Sequence, residues 1–379
     1  MKVTITPTVL EWAISDAGLS HQAVAESVGV PGDTLRAWIE DGAEPSLGEV
    51  RKLAAVLKRS MSFFFLPAPP VADLPQVAFR AAPDHPTSAP SPQTRTVLRE
   101  THGMQEFLAW VTRELHMGAA HLPDIGKNAQ PHVAAGLARQ AAGVEVAVQK
   151  RWRDDSVALR EWRRALEALG VSVFFISLAG GPKGFSISET WNPLIVVNTH
   201  QWNPGARIFT LAHELGHLLR GTSSSCMAIG TSPDQQERWC DRFAAAFLMP
   251  WEAVAEELAA KHGWDRHSRI DDLDVVKKLA SRFKVSLTAA TVRLIHQDVA
   301  DGSLLAQIPA TSNQPKVGGG GDPEKARRPY RRLQEFGRRT ASLLQRAVAQ
   351  EIVTKHEALS RIGCTYDEFD EFVSKAEAS

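Results

Sequence analysis

Residues 211–221, LAHELGHLLRG, say more about the fold than any other stretch of the chain. His213 and His217 are four residues apart, so on an α-helix both imidazoles lie on one face, about 6 Å apart along the axis. Glu214 then points to the side of that pair. Leucines surround the motif, and Gly216 permits close approach of another backbone. The pattern predicts a buried helix that offers two nitrogen ligands to one metal ion.

A second stretch, residues 237–250 (ERWCDRFAAAFLMP), can supply a third ligand. Catalytic zinc takes three protein ligands and one open position, and two histidines with a glutamate are a standard set. Glu237 lies on the next predicted helix, and Asp241, one turn later, can bind a histidine N–H and hold its tautomer. A solvated charged face is the alternative for both, but the apolar run after them carries this helix into the core. Cys240 is expected to be a small buried hydrophobe rather than a ligand.

This ligand set predicts Zn²⁺ as the cofactor, with Mn²⁺ as a substitute in vitro. Zinc makes a water molecule more acidic, and Glu214 is the candidate general base that accepts its proton. The expected reaction is hydrolysis of a peptide bond. A residue that stabilises the transition state is not identifiable, since the two tyrosines of the chain, Tyr330 and Tyr366, lie far downstream.

Bulk properties exclude several other classes of protein. The 379 residues exceed one ordinary domain, and 43 basic side chains balance 43 acidic ones, so a global attraction to nucleic acid or to a membrane is absent. Three widely spaced cysteines argue for a reducing compartment rather than a disulfide framework. Because no stretch of about 18 apolar residues occurs, the cytoplasm is the expected location and no membrane partner is expected.

The predicted fold class is α+β, with five segments along the chain. Three short runs rich in β-branched and aromatic residues, at 171–178, 184–188 and 193–197, predict a small sheet, and their short connections favour antiparallel pairing. The predicted segments are an all-α domain at 1–70, a linker at 71–94, a peptidase core at 95–300, a Gly-rich linker at 301–323 and a helical C-terminal segment at 324–379. A regulatory role is one expectation for the last segment.

The N-terminal helices are similar to a Cro/repressor-type (XRE) helix-turn-helix domain. Residues 20–25 would be the supporting helix and 31–39 the recognition helix, capped by Asp33, with Thr34 and Arg36 as candidate DNA contacts. Residues 1–66 carry six basic side chains against eight acidic ones, and phosphate neutralisation dominates DNA affinity. The sequence therefore leaves two alternatives for this domain: DNA binding through residues 20–40, or a role in homodimer formation or partner docking.

The pairing of TLAHELGHLLRG with ERWCDRFAAAFLMP resembles the ImmA/IrrE family of bacterial metallopeptidases, over roughly residues 95–300 and most strongly over 194–250. The resemblance implies a gluzincin-like core with His213, His217 and Glu237 on zinc and Glu214 as general base. Asp241 stands where many members carry asparagine, and either residue can accept a hydrogen bond from histidine.

The resemblance also implies a regulatory endopeptidase. Its expected substrate is a protein, either a helix-turn-helix transcriptional repressor or a related partner, cleaved in a stress response or in the control of a mobile element. Two alternatives stay open: a DNA-binding transcriptional regulator, and a toxin-antitoxin component that acts through complex formation. In both, the zinc site would not be used for proteolysis.

Overall fold

A computed structural model describes residues 1–70, 91–179, 181–200, 203–221, 233–265, 268–309, 312 and 327–378. Among these, residues 1–70 and 91–103 form one compact unit, and the residues from 104 onwards form a second. The predicted linkers at 71–94 and 301–323 lie largely outside the described ranges, as does Cys226. The segment boundaries drawn from the sequence therefore stay predictions.

Short helices build the first unit, and serine side chains start two of them. The side chains of Ser20 and Ser46 accept backbone N–H groups at the starts of the second and fourth helices. The prediction that Asp33 caps the third helix is wrong: the extended backbone of Pro31 takes the cap position and Asp33 falls in the first turn. The elements are α1 (Pro7–Ala17), α2 (His21–Val28), α3 (Gly32–Glu40), α4 (Leu47–Leu57) and a 3₁₀ helix (Met61–Phe65).

The helices and strands that follow confirm the predicted α+β class. None of the described helices is both long and apolar enough to cross a membrane. In chain order the elements are α5 (Pro92–Glu114), α6 (Pro131–Ala142), α7 (Val146–Gln149), α8 (Asp155–Ala168), β1 (Ser172–Ile176), β2 (Gly184–Ile187), β3 (Leu194–Asn198), α9 (Pro204–Leu219), α10 (Pro233–Leu248), α11 (Trp251–His262), α12 (Leu273–Phe283), α13 (Leu287–His296), α14 (Ser303–Ala306), α15 (Arg328–Ala349), α16 (Lys355–Ile362) and α17 (Tyr366–Ala378).

The three strands form a mixed sheet with the order β1-β3-β2. β2 pairs with β3 antiparallel, as predicted, but β1 pairs with β3 parallel, so the prediction of a wholly antiparallel sheet is wrong. The chain does reverse direction at each short connection. The last strand, buried at all five positions, takes the centre of the sheet and so lies beside the strand that runs in its own direction.

Helix α9 lies against this sheet and is nearly all buried between Ile208 and Leu218. It begins at Asn203, whose side chain accepts the N–H of Ala206 at 2.9 Å. Glycine lets β2 come close to the helix: a Cβ on Gly184 would lie 2.5 Å from Cγ2 of Thr210 and 2.8 Å from the carbonyl oxygen of Val196. The sheet therefore holds the HExxH helix at short range.

Helix α10 packs on the other side of α9 at the position of Gly216. A Cβ there would lie 3.1 Å from Cδ1 of Phe243 and 3.4 Å from Cα of Cys240, so the close backbone approach expected from the sequence is present. Trp239, Phe243 and Phe247 stack along one face of α10, with ring centroids 5.5 and 5.7 Å apart. This packing fixes α10 relative to α9 and so sets the distance between their polar side chains.

Candidate metal centre

His213, His217 and Glu237 meet in one place. Nε2 of His213 lies 3.1 Å from Nε2 of His217, and the two carboxylate oxygens of Glu237 lie 3.1 and 3.2 Å from these nitrogens. His213 and His217 are buried, and the Glu237 side chain is about one-third exposed. One ligand atom from each residue thus falls within 4.8 Å of the others, and the group could hold a metal ion.

The outer nitrogens of both imidazoles face hydrogen-bond partners on α10. Nδ1 of His213 lies 3.0 Å from Oδ1 of Asp241, and Nδ1 of His217 lies 3.2 Å from the side-chain amide of Gln236. An acceptor at Nδ1, as Asp241 is for His213, holds the ring proton there and leaves Nε2 for a metal. Asp241 was foreseen in this position. The contact of Gln236 with His217 was not predicted from the sequence.

This donor set fits a divalent metal ion on geometric grounds. Bonds of about 2.0–2.1 Å in a tetrahedral arrangement put ligand atoms roughly 3.3 Å apart, close to the spacing of the three donors here. Two imidazoles and one carboxylate are also the donor set of a site that leaves a coordination position open. The types of donor atom and the distances between them therefore suit a divalent metal ion.

Glu237 is in the ionised form that a metal ligand needs. Its partial burial would raise the pKa of the carboxyl, but hydrogen bonds and charges from His213 and His217 outweigh that effect. Together they hold the pKa of Glu237 well below its usual range.

Glu214, the neighbour of the first histidine, points towards the sheet. Its side chain is 2% exposed, and Oε2 accepts a hydrogen bond of 3.0 Å from the hydroxyl of Ser186 on β2. Ser186 is itself buried. The sequence marked residues 184–188 only as a strand, so this contact was missed. The structure places a buried, oriented carboxylate next to the convergent histidines.

Two stretches of the chain match family models. Residues 166–294 match the family model described as the IrrE N-terminal-like domain, a peptidase family. Residues 166–294 are an IrrE-like domain. Residues 14–64 match a helix-turn-helix model, so both resemblances seen in the sequence are confirmed. The curated proteins contain no match to the chain.

Cys240 lies within the IrrE-like domain but contributes no ligand atom to the described cluster. The residue is fully buried, and burial together with the nearby carboxylates of Glu237 and Glu214 raises the pKa of its thiol well above the ordinary value. A protonated thiol is a poor metal ligand. Its environment is that of a small apolar side chain packed between α9 and α10.

The candidate DNA contacts lie on α3 of the helix-turn-helix domain. Arg36 is exposed on α3 and pairs with Asp33 at 3.6 Å, while Thr34 is half-buried on the same helix. Neither residue belongs to the metal cluster. Tyr330 and Tyr366 are both exposed, on α15 and α17, and among the contacts of the described residues neither meets the three ligand residues.

Proposed function

We propose that the chain is a zinc-dependent endopeptidase in which His213, His217 and Glu237 bind the metal. The observation that carries the proposal is the convergence of two Nε2 atoms and one carboxylate, with Asp241 at the outer nitrogen of His213. The match to a peptidase family supports a hydrolytic use of this cluster. Zinc suits two imidazoles and a carboxylate, and Mn²⁺ is expected to substitute in vitro.

The chemistry divides between the metal and the protein. Zinc, when bound, supplies Lewis-acid polarisation of a peptide carbonyl and eases the ionisation of a water molecule. Glu214 accepts a proton from the attacking water on its carboxylate and passes it to the leaving amine. Ser186 holds one oxygen of that carboxylate, so the other is directed to the reaction. Asp241 keeps the proton of His213 on Nδ1.

The substrate we propose is a protein partner, namely a helix-turn-helix repressor cleaved in a stress response or in the control of a mobile element. This part rests on the family resemblance and on the helix-turn-helix domain that the chain itself carries. We expect an extended peptide to pair with β2, which bears Ser186 and is an edge strand of the sheet formed by the described residues.

Glu214→Gln tests the peptidase proposal. The amide keeps the shape of the side chain but cannot accept the proton, so metal content should stay unchanged while cleavage stops. The chain is co-expressed with helix-turn-helix proteins encoded beside its gene, and metal-dependent cuts are located by mass spectrometry. Glu256→Gln, an exposed change on α11, is the matched control and should cut normally. If every biological activity survives Glu214→Gln, the chain is not a peptidase.

A second candidate function, DNA binding, is favoured by the helix-turn-helix match at residues 14–64. Arg36 is an exposed basic side chain on α3, the candidate recognition helix. Arg36→Ala should weaken binding to DNA from the neighbouring promoter, measured by fluorescence anisotropy, while the exposed Arg51→Ala on α4 serves as control. Equal binding by both variants and the wild type would favour dimerisation or docking instead. A toxin-antitoxin component would keep its activity in Glu214→Gln but lose it without the N-terminal domain.

A further inference from the structure

A cavity of about 240 Å³ lies beside the candidate metal centre, between α9, α10, α13 and the start of β2. Two of its lining residues belong to the walls of the site. Asp241 contacts Nδ1 of His213, and Thr210 precedes Glu214 by one helical turn. A side chain next to the bond being hydrolysed can therefore enter this cavity.

Most of the charged side chains that line the cavity are basic. Lys183, Arg238, Arg242 and His296 line it, and Asp241 is the one acidic residue among the lining side chains. Asp241 already engages His213. The three lysine and arginine side chains thus outnumber the carboxylate, and the potential inside is positive.

Arg242 is the cation best placed to meet a ligand. It is exposed on α10, and among the described residues no hydrogen bond or ion pair engages its guanidinium. Partial burial and the charges of Arg242 and Arg293 lower the pKa of His296, with Asp241 opposing them. Positive charge therefore already crowds this end of the cavity, and an incoming anion would relieve it.

The size of the cavity and its apolar lining indicate which kind of group carries the negative charge. Phe209, Ala289 and Val292 give the cavity an apolar floor that suits methylene groups. The volume is below the roughly 300–1,000 Å³ of typical small-molecule sites. A single short side chain with an apolar stem and a negative end matches both properties.

We propose that this cavity binds the side chain of an aspartate or glutamate next to the scissile bond, with Arg242 as the residue that determines this specificity. The proposal rests on the proposed peptidase function and names the class of substrate. It predicts that the preferred cleavage sites carry an acidic residue.

A degenerate library of short quenched fluorescent peptides is the probe, used with the full-length zinc-loaded chain. Sequencing of the cut products should show acidic residues enriched at positions flanking the cut by about three- to fivefold over their amides, the range of a partly exposed ion pair. Arg242→Glu should abolish the enrichment and favour lysine or arginine instead. Lys278→Glu, an exposed charge reversal on α12, should leave the enrichment unchanged. Cleavage without acidic enrichment, or with the same enrichment in Arg242→Glu, overturns the proposal.

A binding experiment tests the cavity proposal independently of the peptidase function. The same peptides, without quencher, are selected on immobilised Glu214→Gln protein, which keeps the cavity but lacks the base. Retained peptides should be rich in aspartate and glutamate, and the double variant with Arg242→Glu should not retain them. Free glutamate added as competitor shows whether an isolated amino acid suffices. If the wild type cuts nothing, the peptidase function fails, whereas a retained pool without acidic enrichment fails the cavity proposal alone.

Discussion

The hydroxyl of Ser186 donates a 3.0 Å hydrogen bond to Oε2 of Glu214, joining the middle of β2 to the HExxH helix. Both side chains are buried, so water cannot replace either partner easily. The bond restricts the carboxylate of the candidate general base to one orientation. A strand that the sequence marks only by its β-forming residues therefore takes part in the site.

Removal of this hydroxyl should slow the chemical step. Ser186→Ala frees Glu214 to rotate, and because an acid–base catalyst contributes about 10²–10⁴-fold, we expect kcat to fall roughly tenfold with KM unchanged. Ser186→Thr keeps the hydroxyl and should recover most of the rate. Steady-state kinetics with a cleaved peptide and metal content by mass spectrometry check this. A wild-type kcat in Ser186→Ala would show that the bond is only structural.

The metal cluster was predictable because its signals are local. The four-residue spacing of His213 and His217 follows from helix geometry alone, and the apolar run after Glu237 places that carboxylate on a buried helix. The Ser186 contact could not be predicted in the same way. It depends on which strand lies at the edge facing α9, and strand order follows from long-range packing.

The strand order of the sheet was likewise not predictable from the sequence. The short connections correctly indicate that β1, β2 and β3 alternate in direction, but they do not say which strand is central. The kink in α15 was equally hidden: Gly337 adopts a φ of 81° inside what the sequence reads as helix. Directly after the kink, the backbone N–H of Arg338 donates to Glu167 on α8, a residue 171 positions earlier in the chain.

Asp241 should control metal affinity through His213. Loss of a hydrogen-bond partner of a histidine ligand typically costs about 10–100-fold in affinity, so Asp241→Ala should weaken zinc binding by that amount. Asp241→Asn retains an acceptor oxygen and should stay much closer to the wild type. Competition with a zinc chelator measures both, with the exposed Asp271→Ala as control. Unchanged affinity in Asp241→Ala would mean that Nδ1 of His213 needs no partner.

Cys240 should be dispensable for metal binding. Burial and the neighbouring carboxylates raise the pKa of its thiol well above the usual value, so the thiol is protonated at neutral pH and contributes no thiolate. Cys240→Ala should bind one zinc per chain, while Glu237→Ala should lose the metal. Elemental analysis after gel filtration tests this. Loss of zinc in Cys240→Ala, with the fold intact by circular dichroism, would assign the sulfur as a ligand.

Glu167 on α8 should hold the C-terminal helix α15 in place. Its Oε2 accepts the backbone N–H groups of Arg338 and Arg339 at 3.2 and 3.4 Å, directly after the kink at Gly337, and its Oε1 pairs with Arg163 at 3.0 Å. Both side chains of the Arg163–Glu167 ion pair are buried, so removal of the carboxylate leaves the guanidinium without its counter-charge. Glu167→Ala should therefore cost about 3–5 kcal/mol of unfolding free energy.

Two measurements check this prediction. The urea midpoint should fall most in Glu167→Ala and less in Glu167→Gln, since the amide oxygen still accepts the N–H groups after the kink. Trypsin should cut sooner at Arg338 and Arg339 in the alanine variant, because α15 is no longer fastened to α8. Glu161→Ala on the same helix is the control, since no hydrogen bond or ion pair of its side chain occurs among the described residues. Equal midpoints and equal cutting rates in Glu167→Ala and Glu161→Ala would show that α15 is held by its apolar contacts alone.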